Sequence, residues 1–406
     1  MMKNKKIQLS VSGALRLLKF GWFFNNFMMV VPVIVLVYTQ KGITIGDFFL
    51  IQGLFRVAAL LFEIPSGYLS DRFSRRGILI LGTIFHMFGY SMLTVAYGFW
   101  QIVFGEALLG IASALFSGTL EAYTYDLMKR NHTQKHFLKE FGSITTYAQA
   151  SSFIAALIGG FMFSSLGGSG LLLCEALLSI IAIVILAFVP ELTEIKRKKA
   201  KNKSDFADAI GITYTTLKNP RLRNFILFPA IFGSFTIILL WILQPVMEMA
   251  HIPIALFGIF FAINQISSIF FAKYAYKICA KLGEITTSML TIFTVISGIV
   301  LTFIALHTAN TFILYTACAV IAIAPSIRIL NNLQYNTLIH NDIPSNKRGT
   351  VLSTRAMVSM IFGATTLSVA KILLDNFGIE ITMLVVLFMT TLLFWSLKKV
   401  EHYIKK

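Results

Sequence analysis

The feature that most constrains this sequence is a series of apolar runs, each long enough to cross a lipid bilayer. A helix needs about 20 mostly apolar residues to span the hydrocarbon core of a membrane. Only 13% of the 406 residues are charged, whereas soluble proteins carry about a quarter. The runs lack the two-residue alternation of barrel strands, and a bilayer tolerates only structures whose backbone groups are satisfied internally. The sequence therefore predicts an all-α membrane protein.

We predict twelve transmembrane helices. The first run is long and lacks a small-residue cleavage site, so it is interpreted as the first span and not as a removed signal peptide. The predicted spans cover residues 17–39, 46–70, 77–97, 99–127, 140–166, 169–189, 223–248, 252–275, 285–306, 309–335, 350–374 and 378–397.

The net charge of +17 is interpreted as a topology signal. With the N-terminus in the cytoplasm, nearly all lysines and arginines outside the spans fall on the inner side, and the outer loops hold only Lys41. Basic loops stay cytoplasmic during membrane insertion. An even span count then places both termini inside, in the inner (plasma) membrane. This placement of the charges argues against nucleic acid as a partner.

The longest hydrophilic stretch divides the chain into two similar parts. It reads "PELTEIKRKKAKNKSDFADAIGITYTTLKNPRLRN", with six predicted spans before it and six after it. We predict a first six-helix bundle at 1–189, a cytoplasmic linker at 190–222 and a second six-helix bundle at 223–406. Two such bundles are typical of transporters, which bind their solute between the repeats near the middle of the membrane.

A dense cluster of charge, "GYLSDRFSRRG" at residues 67–77, is placed by these spans in the inner loop between spans two and three. It resembles the signature loop of the major facilitator superfamily, in which a glycine, an aspartate and three basic residues recur at fixed spacing. Ser74 stands where the family usually has a glycine. The residues that match the pattern are Gly67, Asp71, Arg72, Arg75 and Arg76.

The resemblance implies the two-bundle transporter fold and a gate at this loop. We expect Gly67 to allow a neighbouring helix to approach closely. We expect Asp71 to face a helix N-terminus, where a negative charge is favoured, as part of a latch that breaks in one state. The alternative, that the arginines only fix the orientation in the membrane, stays open for Arg75 and Arg76.

Two further positions depart from the patterns of proton-coupled and exporting members of this family. Glu106 stands where many proton-coupled members have an arginine, four residues before Gly110. Ala155 and Ala156 stand where exporters often have a glycine-proline pair. The direction of transport is therefore left open by these motifs.

Ionisable and polar residues at membrane depth are costly and usually serve function. The candidates for proton coupling are Glu106, Glu175 and Glu63. The resemblance implies that spans one, four, seven and ten line the solute cavity. The candidates for the cavity are Trp22, Asn25, Asn26, Arg56, Trp241, Gln244, Asn264, Arg328, Asn331, Asn332 and Arg355.

Structural alternatives accompany these candidates. The asparagines also suit hydrogen bonds between helices. Glu63 lies close enough to the charge cluster to be structural, and Arg355 suits the inner gate equally well. Arg328 also suits a permanent pair with a glutamate from another helix.

The hypothesis that follows is a secondary transporter working by alternating access, driven by protons and exporting amphipathic small molecules. The runner-up is proton-coupled transport of an organic anion or siderophore-like solute, which would use the arginines. A membrane-embedded enzyme or receptor is the remote alternative, because the sequence has no Walker-type loop and no HExxH or GxSxG pattern. We expect no cofactor, no metal site at the three cysteines, and a monomer that works with a solute, protons and the bilayer.

The predicted topology is tested by cysteine labelling. A cysteine introduced near residue 200 should react with a membrane-impermeant maleimide only from the cytoplasmic side, and one near residue 309 only from outside. The unmodified chain is the control, because its own three cysteines lie in or at the edges of predicted spans. The reverse labelling pattern would overturn the span assignment.

Overall fold

The computed structural model describes residues 10–192, 204–308, 310–344 and 348–404, and these ranges contain helices and turns without a β-strand. The predicted all-α fold class is therefore confirmed. Thirteen α-helices follow one another along the described chain, with three short 3-10 helices between them. They are α1 (Val11–Asn25), α2 (Ile34–Gln40), α3 (Ile45–Arg72), α4 (Arg75–Val95), α5 (Phe99–Phe116), α6 (Thr119–Arg130), α7 (Phe137–Phe188), α8 (Ser204–Lys218), α9 (Pro220–Met249), α10 (Phe257–Leu282), α11 (Glu284–Thr308), α12 (Thr311–Asp342) and α13 (Arg348–Ile404).

Nine helical stretches of the described chain are long and apolar enough to cross a membrane. Two of them have 50 and 48 residues, and a straight helix of that length would measure roughly 75 Å, against about 30 Å for the hydrocarbon core. Each is interrupted by a glycine of positive φ, Gly167 in α7 (φ 65°, ψ 178°) and Gly378 in α13 (φ 77°, ψ −176°). This conformation is essentially restricted to glycine, so each of these residues ends one helix and begins another.

Helix α7 folds back on itself at Gly167. Near its start, Glu140 forms a 2.8 Å ion pair with Lys19 of α1. Near its end, Leu186 packs so closely on Gly21 that a Cβ there would lie 3.0 Å from the leucine. Both ends of α7 therefore lie beside the same turns of α1, as expected for separate spans five and six. The count of twelve spans, the cytoplasmic termini and the division into two bundles stay predictions.

The predicted first span is not one helix, which corrects the expectation for residues 17–39. Helix α1 ends at Asn25, and a 3-10 helix at Val31–Val33 leads into α2. Pro32 accounts for the second boundary, because proline has no N–H to donate and disfavours helical geometry in the residue before it. Asn26 caps the first helix by donating from Nδ2 to the carbonyl of Trp22 at 2.8 Å. The chain is thus broken at residues 26–30, which we call the first-span break.

Side chains from other helices satisfy the backbone groups that this break leaves without helical partners. The buried amide of Gln244, on α9, accepts a hydrogen bond from the N–H of Val35 (2.9 Å) and donates one to the carbonyl of Val31 (3.0 Å). The buried carboxyl of Glu175, on α7, accepts from the N–H of Val30 at 3.1 Å. Unsatisfied backbone groups are costly in a membrane, so these two side chains stabilise the break.

The predicted fourth span is also broken, which corrects the expectation for residues 99–127. Helix α5 ends at Phe116 and α6 begins at Thr119. Between them, Gly118 has a φ of 68°, a left-handed conformation that glycine adopts without steric cost. Ser117 donates from Oγ to Oε1 of Glu63 at 2.9 Å, which ties the interruption to α3.

The charge cluster at residues 67–77 is not a loop, contrary to the expectation. Helix α3 continues to Arg72 and α4 begins at Arg75, so the linker has two residues. Ser74 is the N-cap of α4, and its Oγ accepts a hydrogen bond from the N–H of Gly77 at 3.3 Å. Serine is a preferred N-cap residue, which explains its presence where the family usually has glycine.

The arginines that open α4 hold it to neighbouring segments of the first half. Arg75 forms an ion pair with Asp126 and also donates to the carbonyl of Ala122 at 2.7 Å. Arg76 donates to the carbonyl of Val189 at 3.0 Å, at the end of α7. These contacts join α4 to α6 and α7, and all of them lie within residues 1–189.

The other three residues of the predicted latch are Gly67, Arg72 and Asp71. A Cβ added to Gly67 would meet nothing within 4 Å among the described atoms, so the expected close approach of a neighbouring helix is wrong for this structure. Arg72 is exposed and donates to the hydroxyl of Tyr68 at 2.8 Å. The side chain of Asp71 lies outside the described residues, and its role in a latch stays a prediction.

The two predicted halves meet at the end of the molecule that the topology places outside. Lys371 of α13 forms ion pairs with Asp47 of α3 (2.5 Å) and with Asp375 (2.8 Å). Asp375 lies over Gly46, where a Cβ would be only 2.0 Å from its Oδ1. Helices α3 and α13 are therefore held together at this end.

A second contact closes the same end of the molecule. A Cβ on Gly258 of α10 would lie 2.0 Å from the carbonyl oxygen of Ala156 of α7, and one on Gly160 would lie 2.7 Å from the carbonyl oxygen of Ile254. Glycine permits this approach because it has no side chain. Helices α7 and α10 thus touch backbone to backbone.

The predicted inner end has a different pattern of ion pairs. Lys19–Glu140 lies within the first half, and Arg221–Asp342 (2.7 Å) lies within the second. The Arg75–Asp126 pair likewise joins helices of the first half. On the predicted topology, the Lys371 ion pairs and the α7–α10 contact therefore hold the halves together at the outer end, the arrangement expected of a cleft that opens towards the cytoplasm.

The ion pairs of Lys371 should hold the outer end closed. Replacing both partners, Asp47→Asn with Asp375→Asn, should favour outward opening by about twofold to fivefold, or ~0.4–1 kcal/mol for partly exposed pairs. Spin labels at the exposed positions 40 and 376 would report this as a larger long-distance fraction in pulsed electron resonance. Glu140→Gln, which removes a pair within one half, is the control. An unchanged distance distribution in the double variant would show that these pairs do not hold the outer end closed.

The two hydrogen bonds of Gln244 should stabilise the first-span break. Gln244→Leu keeps a similar volume but leaves the Val35 N–H and the Val31 carbonyl unsatisfied, and we expect a loss of about 1–3 kcal/mol in stability. The midpoint of thermal unfolding in detergent measures this effect. Gln101→Leu, at an exposed position, is the matched control. Equal midpoints in both variants would contradict the role assigned to Gln244.

Candidate functional site

A cavity of about 360 Å³ lies between the first-span break and helices α3, α4 and α5, with one side chain from α9. Its walls are mostly aromatic and apolar, and no lysine or arginine is among its lining residues. We call it the aromatic cavity. Five predicted site residues line it, namely Trp22, Asn25, Asn26, Glu106 and Trp241.

Glu106 is the acidic group of this cavity. It is 6% exposed, and its Oε1 accepts hydrogen bonds from the hydroxyl of Tyr38 (2.6 Å) and from Nε2 of Gln52 (2.9 Å). Helix α5 approaches α3 closely here, since a Cβ on Gly110 would lie 2.6 Å from the carbonyl oxygen of Phe55. Helices α2, α3 and α5 therefore fix this carboxyl in one position.

Asn25 brings a second acceptor to the aromatic cavity. It is the last residue of α1 and is 4% exposed, and its Oδ1 is buried with no hydrogen-bond partner among the described residues. An unpaired buried acceptor is unfavourable, so Asn25 is a wall residue whose carbonyl oxygen the described residues leave unsatisfied.

Glu175 lies behind the cavity and is not among its lining residues. Its backbone carbonyl accepts from Ser179 Oγ at 2.9 Å, and that hydroxyl lies 3.1 Å from Nδ1 of His86. The ring of His86 makes an edge contact with Tyr90, with centroids 4.7 Å apart. His86 and Tyr90 both line the cavity, so this chain of contacts connects Glu175 to it.

Sequence reasoning missed Tyr38, Gln52, His86 and Tyr90. Each of these residues stands alone in an apolar run, so no pattern in the sequence indicates which way its side chain faces. For Tyr38, the register of its helix was also unknown, because the first span is broken. Pro32 is the one signal that would have indicated the break, and with it the position of Tyr38.

Three of the predicted cavity residues are placed between helices instead. Gln244 stabilises the first-span break, as described above. Asn264 donates to the carbonyl of Ala322 at 2.8 Å, which joins α10 to α12. Asn331 is fully buried and donates to Thr291 Oγ1 at 2.8 Å, which joins α12 to α11. These contacts favour the structural alternative for the two asparagines.

Arg355 and Asn332 are bound to each other. Nη2 of Arg355 donates to Oδ1 of Asn332 at 2.7 Å, and Nη1 donates to Asn336. Both asparagines lie on α12, four residues apart on one face. The guanidinium of Arg355 therefore has acceptors within the second half.

Arg56 and Arg328 differ from Arg355. Both are partly exposed, and neither has a hydrogen bond or an ion pair in the described part of the chain. Arg56 reaches from α3 to α13, where a Cβ on Gly363 would lie 3.1 Å from its Cδ. The expected alternative, a glutamate partner for Arg328, is not found among the described residues. Neither arginine lines the aromatic cavity.

No group of three or more histidine, cysteine, aspartate or glutamate side chains with the geometry of a metal site occurs among the described residues. The site is thus a set of polar groups held between apolar helices.

Comparison with known proteins agrees with this architecture. An uncharacterized MFS-type transporter of Methanocaldococcus jannaschii is 27% identical over 355 residues, 83% of this chain and 85% of that one. A Na(+), Li(+), K(+)/H(+) antiporter of Planococcus maritimus is 28% identical over 183 residues, 43% of this chain and 41% of that one. Several other curated relatives match over less than half of their own length.

The fold has a solved counterpart. A mutant of the nucleoside transporter NupG matches with a TM-score of 0.81 at 14% identity, covering 96% of this chain and 100% of that one. At this identity the likeness shows the fold alone. The sequence model of the Major Facilitator Superfamily matches residues 20–367. The chain therefore belongs to the Major Facilitator Superfamily, which points to a transporter and not to an enzyme.

Proposed function

We propose that the protein is a proton-coupled secondary transporter that exports amphipathic small molecules by alternating access. The observation that carries this proposal is the aromatic cavity, in which one buried carboxyl, Glu106, stands among apolar and aromatic walls without a lysine or arginine. Such a cavity suits a solute with an apolar body and a polar group.

Glu106 is the better of the two buried carboxyls for proton coupling. An ionised carboxylate without a cationic partner is costly at membrane depth, so a proton or a cationic group must neutralise it when water is excluded. Glu106 lines the cavity and is reached by whatever enters it. Glu175 instead accepts a hydrogen bond from the first-span break. Proton binding at Glu106 can therefore compete with solute binding, or be altered by the solute once it is bound.

The contacts between the halves support alternating access. The ion pairs of Lys371 and the approach of α7 to α10 close the predicted outer end. At the predicted inner end, Lys19–Glu140 and Arg221–Asp342 each join helices of one half. An exporter takes up its solute from the cytoplasm, which lies at the predicted inner end. The H(+)-coupled activity in the name of the Planococcus maritimus relative supports protons as the coupling ion.

The proton role of Glu106 is tested by Glu106→Gln in proteoliposomes. The solute is chosen first, as the compound with the largest thermal shift in a panel of cationic, neutral and anionic amphipathic compounds. Uphill transport driven by a pH gradient should fall at least tenfold, about 1.4 kcal/mol or more, because glutamine keeps the hydrogen-bonding shape but cannot exchange a proton. Exchange at equal solute concentrations should persist.

The control for this experiment is Glu121→Gln, which removes the same charge from an exposed position on α6. Uphill transport should be unchanged in this variant. If uphill transport also survives in Glu106→Gln, proton coupling at Glu106 is wrong, and Glu175 or Glu63 becomes the site to test.

A further inference from the structure

His86 stands where three helices meet in the wall of the aromatic cavity. Gly82 and Gly89 share its face of α4, at spacings of four and three residues, and a Cβ on either glycine would lie 2.6 Å from a side chain of α5. The ring of His86 makes edge contacts with Tyr90 of α4 (centroids 4.7 Å apart) and with Phe116 of α5 (6.4 Å). These contacts fix the place of the ring in the wall.

A hydrogen bond to α7 decides which ring nitrogen of His86 carries a proton. The buried hydroxyl of Ser179 donates its single proton to the backbone carbonyl of Glu175 at 2.9 Å, because a carbonyl can only accept. The same hydroxyl oxygen lies 3.1 Å from Nδ1 of His86. Since its own proton is already used, the oxygen can only accept in this second contact. The proton therefore lies on Nδ1 of His86.

The other ring nitrogen, Nε2, is left for the cavity. It has no hydrogen-bond partner and the ring has no ion pair among the described residues, and it is not fully enclosed by protein atoms. A charged ring without an acidic partner is costly at membrane depth, which favours the neutral form. Nε2 of the neutral ring then has a lone pair and no proton. Because the ring lines the aromatic cavity, His86 offers that cavity a hydrogen-bond acceptor.

We propose that His86 is a solute-binding residue, whose Nε2 accepts a hydrogen bond from a hydroxyl or N–H group of the solute. Ser179 is a positioning residue, because it keeps the proton on Nδ1 and so keeps Nε2 an acceptor. The solute is thus an apolar body that carries a hydrogen-bond donor. This inference names the chemical class of the solute and in that respect rests on the proposed function.

A purely structural role for His86 would have different consequences. If the ring only joined α4 to α7 through Ser179, its removal would lower stability and weaken all solutes alike. If Nε2 binds the solute, removal of the ring nitrogen weakens compounds with a donor and spares those without one, because only the former lose a hydrogen bond. Selectivity between two matched compounds therefore distinguishes the two roles.

The matched compounds are 2-naphthol and 2-methoxynaphthalene, which share an uncharged apolar body but differ in that only the naphthol has a donor. Their binding to the full chain in lipid nanodiscs is measured by equilibrium dialysis, with empty nanodiscs subtracted, and expressed as the ratio of the two affinities. His86→Phe should lower this preference for naphthol by about fivefold to tenfold, the effect of one hydrogen bond. His86→Gln should retain part of the preference, because its Oε1 can accept in place of Nε2. His307→Phe, the same change at an exposed position on α11, should leave the ratio unchanged.

A second measurement needs no ligand. In nitrogen-15 spectra of the histidine-labelled chain, the signals that disappear in His86→Phe belong to His86, one of seven histidines. We expect a protonated Nδ1 and an unprotonated Nε2, and in Ser179→Ala a mixture of both tautomers together with a smaller preference for naphthol. The proposal is overturned if Nε2 of His86 carries the proton in the unmodified chain, or if no preference for naphthol depends on His86. Neither measurement uses a proton gradient, so their failure would leave the test of Glu106 intact.

Discussion

A polar group at membrane depth is costly unless it finds a partner inside the protein, and the first-span break is where this constraint acts on the backbone itself. Residues 26–30 leave the helical pattern, which deprives backbone donors and acceptors of their helical partners at membrane depth, where unsatisfied groups are costly. The carboxyl of Glu175 and the amide of Gln244 satisfy these groups from α7 and α9. The position of Tyr38, and through it that of Glu106, depends on this bracing.

The sequence was sufficient for the fold class and for most helix positions, because long apolar runs have few alternatives in a membrane. The sequence was insufficient where a single residue changed the backbone geometry of a helix or a linker. Pro32 and Gly118 broke two predicted spans, and Ser74 turned a predicted loop into a helix cap. These effects depend on single backbone conformations, which hydrophobic periodicity does not report.

The candidate site was predictable in part, and the reason lies in the type of residue. Glu106 and the two tryptophans could be named because charged and large amphipathic side chains are rare in spans and usually face an interior. Asparagines carry less information, because they serve equally well between helices, as Asn264 and Asn331 do. Tyr38 and Gln52 became visible only when the break and α3 brought them to the same carboxyl.

Glu106 shows what the same constraint means for a charge that must stay available. Tyr38 and Gln52 hold its carboxyl in place, but both are neutral, and the aromatic cavity that it lines has no lysine or arginine in its wall. An ionised carboxylate in such a place is favourable only while water or a cation reaches it. Closure of the cavity would strip this charge of water, so closure requires that the carboxyl first takes up a proton or a cationic group of the solute. That requirement is a physical basis for coupling protons to transport.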